Sequence, residues 1–371
     1  MRKSLKQLSN LFFKKASALA PDSFGTTTFF GCAAVRGSYV LPLNYNTLPA
    51  NVQQDLQITY DIEEKKIFEL KNVFISPEGI IFKNLKIFVP SLASTLLLNL
   101  IGYSFLARQF MGFRKPFVKF DKPVIVAHDQ WSQNYYHWVI DLLSKLLLPG
   151  VEMRKCILLV PEYSADFMMP TLEALGYANF YKIKDNSIIQ AKTVFLPDRT
   201  AVGNLQNPPL LATLRDRLIE ALHPRSSQPT RRVYVSRSKS PKRRLLNEQK
   251  VVEMLKKYEF EHVYFEQLAF LQQIELMQQT KVLIGVHGAN LVNTLFLQKD
   301  SIVVELMNAE FTNLVYYKMA STLELPYYLL ACTPDPVSAD RNDGTIFTKN
   351  DVDIEVNLAE LAEVLKKIFS D

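Results

Sequence analysis

The chain has 371 residues, 48% of them hydrophobic and 22% charged, which is core material for two or three globular domains and excludes a disordered chain. Its formal net charge of +6 suits acidic ligands or an anionic surface, and without a basic stripe interleaved with aromatics it gives no footprint for nucleic acid. The three cysteines, Cys32, Cys156 and Cys332, are far apart and form no CxxC, so neither a disulfide framework nor a zinc site is expected.

Residues 1–20 set Arg2, Lys3, Lys6, Lys14 and Lys15 among Leu5, Leu8, Leu11 and Phe12. This is a basic amphipathic segment, an exposed helix or one lying on a membrane, and Lys14-Lys15 interrupts any signal-peptide core. No apolar run is long enough to span a bilayer. Loops and short strands are expected over Pro21–Tyr45. Strands follow over Ile58–Leu70 and Val73–Val89, with Pro77-Glu78-Gly79 as a hairpin turn. Leu92–Phe110 has the composition of a helix. Pro123–Ala127 reads as a strand, His128–Gln133 as a polar loop beyond it, and Tyr135–Leu148 as a helix with Trp138, Leu142, Leu143, Leu146 and Leu147 on its apolar face.

From Cys156 the pattern alternates between strand and helix, which argues for a parallel sheet. Pro224–Arg232, PRSSQPTRR, has no apolar residue and reads as a linker. It would separate an N-terminal α/β domain, residues 21–223, from a C-terminal one, residues 233–371. Strands at Val233–Ser236 and His262–Phe265 follow, with a helix over Asn247–Tyr258 for which Asn247 is a suitable N-cap.

The most informative stretch is Lys281–Leu306. An apolar, β-branched strand, Val282–Val286, runs into His287-Gly288-Ala289-Asn290. A short helix carries Leu291, Val292, Leu295 and Phe296, and a second buried strand, Ile302–Leu306, bears Glu305. Ligands of open parallel sheets sit beyond the carboxyl ends of the strands, where this loop falls. Gly288 permits close backbone approach, and the N–H groups heading a helix favour an anion such as a diphosphate. The same pattern serves α/β domains that bind nothing there, with His287 as a structural histidine.

Two further clusters carry potential chemistry. His137 and Asp141 lie four residues apart, so on a helix a carboxylate orients an imidazole, as a general base requires; a buried structural histidine has the same spacing. Asp141 or Asp129 acting directly is the other candidate base. In Ser236–Arg244, Arg237 and Arg244 suit phosphate, whereas Lys239, Lys242 and Arg243 read as solvated. GxGxxG, the P-loop, GxSxG and HExxH are all missing, and the one DxD pair, Asp351-Val352-Asp353, lies in a late loop. That favours neutralising a diphosphate by Arg and backbone N–H groups.

Together these clusters resemble glycosyltransferase family 61. The resemblance is densest over Arg232–Asn308, through YVSRSK, the helical segment after it and KVLIGVHGANLVNTLFLQKDSIVVEL; NYYHWVID is similar to the family's Asn-x-x-His-x-x-x-Asp element. It implies an α/β GT-B fold, two Rossmann-like domains facing across a cleft. It also implies an inverting, metal-independent enzyme using a nucleotide-sugar donor, expected to be UDP-linked. On this reading His137 and Asp141 are catalytic, Arg237 and Arg244 hold phosphates, and His287, Gly288, Ala289 and Asn290 surround the diphosphate, with Glu305 on the ribose or base. Without an anchor or signal, the chain is expected to be a cytoplasmic, bacterial-type member acting on a glycan or lipid-linked glycan of capsule or lipopolysaccharide. Peripheral membrane contact and homo-oligomers are consistent with this. A non-catalytic nucleotide-sugar-binding scaffold is the alternative.

Overall fold

The computed structural model describes residues 24–84, 86–94, 97, 116–163, 165–201, 206–340 and 351–370. The amphipathic segment 1–20, and most of the helix expected from Leu92, lie outside the described residues. The chain forms two compact units, one of residues 1–34 and 63–200, the other of residues 35–62 and 201–371.

The second unit is built on a six-stranded sheet. Its strands, in spatial order, are Glu261–Val263, Arg231–Val235, Thr280–Val286, Ile302–Asn308, Tyr327–Pro334 and Ile354–Glu355. The first five are parallel and the last is antiparallel. Numbered along the chain, the parallel strands run 2-1-3-4-5, a doubly wound order whose direction of winding reverses between Arg231–Val235 and Thr280–Val286. Val282, Leu283, Ile284 and Val286 are all buried, as a strand covered on both faces requires. The helix Leu358–Phe369 closes one face: Leu361, Val364 and Leu365 are buried, while Lys366 and Lys367 stand in its last turn where the helix dipole favours cations.

The first unit contains a mixed nine-stranded sheet. Its parallel part places Phe180–Ile183, Ile157–Pro161, Val124–Val126 and Ile188–Pro197 side by side, a 3-2-1-4 order. From Ile188–Pro197 onward the sheet turns antiparallel, through Lys65–Ile75, Ile81–Lys83 and Lys86–Ile87. The expected parallel strands are present in both units, and in the first the sheet continues into antiparallel strands that the alternating pattern did not predict. The antiparallel extension follows from a tight turn: Gly79, at φ +82°, receives no side chain there, and a methyl group on it would lie 2.3 Å from the His128 carbonyl oxygen.

The expected boundary at residues 224–232 is not where the units divide. The helix Pro208–Leu222, capped by the Asn207 side chain, packs on the helix Val315–Thr322, and Arg215 Nη2 donates to the Leu297 carbonyl at 2.8 Å. The polar stretch after it is a surface connection within the second unit, held where Thr230 N donates to the Gln279 carbonyl at 3.0 Å and Gln298 Nε2 to the Ser227 carbonyl at 2.6 Å. Residues 35–62 also join the second unit. Asn44 donates to the Leu329 carbonyl at 2.7 Å and accepts from the Leu329 N–H at 3.1 Å, and Leu43 N donates to the Tyr327 carbonyl at 2.8 Å. The edge of Tyr327–Pro334, which Ile354–Glu355 pairs only at its far end, is thereby covered.

Candidate functional site

In the second unit the loops following the strands at the switch point are Ser236–Arg244 and His287–Asn290, the position where doubly wound sheets take ligands. Ser236 Oγ and Tyr234 Oη both donate to Glu248 Oε1, at 2.6 and 2.7 Å, and the Ser238 N–H donates to Ser236 Oγ at 3.1 Å. These bonds pin the start of the first loop. Asn247, expected as an N-cap, makes no capping bond; its side chain bonds the backbone of Val356 instead.

Arg237 leaves this loop and is only 8% exposed. Its Nη2 donates to Ser240 Oγ at 3.1 Å and to the Lys242 carbonyl at 3.5 Å; it makes no ion pair among the described residues, and its Nε is sealed from solvent with no hydrogen bond. Burial, reinforced by Arg243, pushes its guanidinium down to about 10. A buried cation without a counter-charge is costly unless an anion completes the site. Arg243 Nε is also buried without a hydrogen bond, but it has a counter-charge, Asp351 Oδ1 at 3.8 Å. The guanidinium of Arg237 lies against Gly288: a methyl group there would come 2.2 Å from Nη1. The space that the glycine keeps open is thus taken by arginine.

Arg244 is placed differently from Arg237. It forms a fork on Asp353, with Nε and Nη2 at 3.0 and 2.7 Å from Oδ2, and its N–H donates to Oδ1 at 2.8 Å. It fastens the end of the loop and is committed to a carboxylate.

His287 and Glu305 come together. The Nδ1 of His287 lies 2.5 Å from Glu305 Oε1, and the Tyr327 hydroxyl donates to Glu305 Oε2. Glu305 is fully buried in its strand, so it reaches no ligand directly as placed. The His287 ring packs edge-on against Tyr316 with centroids 5.1 Å apart. Ala289 and Asn290 head the 3-10 helix Ala289–Phe296, whose Leu291, Val292, Leu295 and Phe296 are buried as their spacing requires.

In the first unit the corresponding switch point lies between Val124–Val126 and Ile188–Pro197, and the residues beyond these strands meet. Asp129 Oδ2 binds Lys145 Nζ at 3.0 Å and Arg199 Nη1 at 2.8 Å. Burial alone would raise the Asp129 carboxyl, but Lys145 and Arg199 outweigh it and hold the group well below the usual carboxylate range. A carboxylate so neutralised is a poor base. His128, buried between the Leu159 and Pro77 carbonyls, is pushed down to about 4 by its burial.

His137 opens a π-helical turn, His137–Leu142, a wide turn of a kind that recurs at functional sites. Its Nδ1 is 2.7 Å from Asp141 Oδ2, and Arg199 Nη2 lies 3.5 Å from the same oxygen. The His137 side chain is 27% exposed, and its Nε2 makes no hydrogen bond among the described residues. Partly exposed Trp131 and Tyr136 flank the ring, at centroid distances of 5.0 and 5.2 Å. The cluster is an oriented imidazole with one accessible nitrogen, beside aromatic surface and a guanidinium.

Residues 135–304 match the family model for glycosyltransferase 61. The chain is similar to the glycosyltransferases of family 61. It is also 37% identical, over 89 residues, to an EGF domain-specific O-linked N-acetylglucosamine transferase of Drosophila melanogaster, covering 23% of this chain and 17% of that protein. The chain therefore spans about a sixth of the length of this relative in the match.

The matched span holds His137, Asp141, Arg199, Arg237 and His287, and ends next to Glu305. Three of the residues that build these clusters escape the motif reading: Arg199, Lys145 and Arg243. Lys145 had a signal, since a lone lysine inside Leu142–Leu148 implies a buried partner. Arg199 had a weaker one, a charge just beyond a strand's carboxyl end. Among the described residues no three His, Cys, Asp or Glu side chains converge as a metal site would need.

Proposed function

We propose that this protein transfers a sugar, with inversion, from a UDP-linked donor to a glycan acceptor without a metal ion. The observation that carries the reading is Arg237: a buried guanidinium with an unbonded Nε, at the switch point of a doubly wound sheet, beside a glycine that a side chain would fill. Such a site suits a diphosphate, with Arg243 adding charge and the His287–Asn290 loop surrounding it.

In the reaction the acceptor hydroxyl oxygen bonds the anomeric carbon as the bond from that carbon to the phosphate oxygen breaks. The hydroxyl proton passes to Nε2 of His137, whose Nδ1–H is held by Asp141, and the nucleoside diphosphate leaves with its charge met by Arg237. Trp131 and Tyr136 beside His137 suit the apolar face of a sugar ring, which supports a glycan as acceptor. We assign the protein to surface-polysaccharide assembly as a bacterial-type member, acting at the cytoplasmic side of a membrane through residues 1–20.

Calorimetric titration with UDP-sugars tests the donor, and sugar transfer to lipid-linked glycans tests the reaction. Binding and transfer are expected. A folded protein that binds no nucleotide-sugar would sink the reading, and one that binds but neither transfers nor hydrolyses the donor is a scaffold.

A further inference from the structure

The reaction as derived gives Arg199 no part, yet its side chain touches both supports of the base. It follows the strand Ile188–Pro197 and is 16% exposed. Its Nη1 lies 2.8 Å from Asp129 Oδ2 and 3.5 Å from the Leu92 carbonyl, and its Nη2 lies 3.5 Å from Asp141 Oδ2. The guanidinium carbon stands 5.8 Å from the centroid of the Trp131 ring.

The Asp129 end is fixed. Its Oδ2 also takes Lys145 Nζ at 3.0 Å, and the same ammonium donates to the Ala127 carbonyl at 3.0 Å. Its Oδ1 receives the Trp131 N–H at 3.1 Å and the Ser132 hydroxyl at 3.3 Å. Asp129 and Lys145 are both buried, and these donors use up the acceptor capacity of a carboxylate. Asp129 is therefore an anchor for the arginine.

The Asp141 end bears on the base. Oδ2 holds His137 Nδ1 at 2.7 Å and faces Arg199 Nη2, while Oδ1 makes no hydrogen bond among the described residues. Apart from the histidine it holds, Arg199 is what fixes how this buried carboxylate is turned. The Trp131 ring beneath the guanidinium lies 5.0 Å from the ring of His137. A lysine could keep a charge on Asp129, but only the fork of an arginine reaches two carboxylates at once. Asp129 and His137 come after Val124–Val126, and Arg199 comes after the strand across the switch point, so the strand order of the first unit assembles the group.

We propose that Arg199 is the positioning residue of the base: it ties Asp141, and through it the His137 ring, to the buried Asp129–Lys145 pair, and it holds Trp131 beside that ring. The proposal rests on the reading of His137 as base.

Two measurements on the full chain test this, one of which needs no turnover. The Nδ1 proton of a histidine held by a carboxylate resonates far downfield in proton NMR spectra, and His137 and His287 each have such a bond. The signal that His137→Ala removes is that of His137. In Arg199→Lys it is expected to move or to be lost to exchange with water, while that of His287 stays. An unchanged His137 signal overturns the proposal. Turnover of UDP-N-acetylglucosamine with a lipid-linked glycan acceptor is the second readout, and it decides alone if the wild type shows no such signal. Arg199→Lys is expected to lower kcat about 10- to 100-fold with the KM for the donor unchanged. In a His137→Ala background it should cost nothing further, since it acts through that ring. Unchanged kcat, a change in donor KM alone, or a full additional loss beyond His137→Ala also overturns the proposal. Near-normal kcat in His137→Ala fails the base reading instead, and the NMR spectra still decide whether Arg199 holds the ring. Should Arg199→Lys not fold, Arg199→Gln, which can still donate to Asp129, takes its place.

Discussion

At the scale of single residues, both clusters contain buried charges, Asp129 answered by Lys145 and Arg199, Arg237 with no ion pair among the described residues. Arg237 is the clearest, and its loss should weaken UDP-sugar binding roughly 10- to 100-fold, the effect of about 1.5–3 kcal/mol for a hydrogen bond to a charged group. Gly288→Ala should approach the same loss by displacing the guanidinium, and Arg237→Ala combined with Gly288→Ala should lose little more than either alone. Additive losses in calorimetry would show that the two act separately. His137→Ala should bind donor normally and lose about 10²- to 10⁴-fold in turnover, with a smaller loss for Asp141→Asn; near-normal kcat would remove His137 as base. Asp129 answers to stability. With its carboxyl held low by Lys145 and Arg199, its contribution is present above the ordinary carboxylate range and lost as pH falls through its own depressed value. Asp129→Asn leaves Lys145 buried without its ion-pair partner, so denaturant melts at neutral pH should show a loss of about 3–5 kcal/mol. The acid limb of its stability profile should also be flatter than that of the wild type.

At the scale of elements, strand and helix character follow from local pattern, and the helix Leu358–Phe369 and strand Phe180–Ile183 coincide with their apolar periods. The π-helical turn at His137 does not follow from pattern, because an i,i+4 spacing serves an ordinary helix equally well. Nor does the role of Asn44, whose amide closes the edge of a strand 285 residues away. A side chain with both donor and acceptor on one peptide's neighbours is hard to replace. Asn44→Ala should cost about 1–3 kcal/mol through the buried backbone groups it leaves unpaired at Leu329. Chemical denaturation with a probe in the second unit measures this, and an unchanged midpoint would mean that water replaces the amide.

At the scale of the whole molecule, the donor reading predicts where a ligand is felt. On adding a UDP-sugar, the largest fall in amide hydrogen exchange is expected in Ser236–Arg244 and His287–Phe296, the segments beyond the two switch-point strands. Protection concentrated elsewhere would move the site. The amino-acid sequence determined the alternating α/β design, the buried strands on either side of the HGAN loop, and the pairing of His137 with Asp141, because each is written in spacings of a few residues. It also named Arg237, Arg244 and the His287–Asn290 loop as candidate phosphate contacts, and the structure sets the Arg237 guanidinium against Gly288. Tertiary structure alone decided that Arg244 belongs to Asp353, that Glu305 holds His287, that Asp129 is shared by Lys145 and Arg199, and that residues 35–62 cover a distant edge. The physical reason is common to all four: each joins charged or polar groups from strands and loops far apart in the chain, and which carboxylate a buried cation finds is settled by packing, not by spacing.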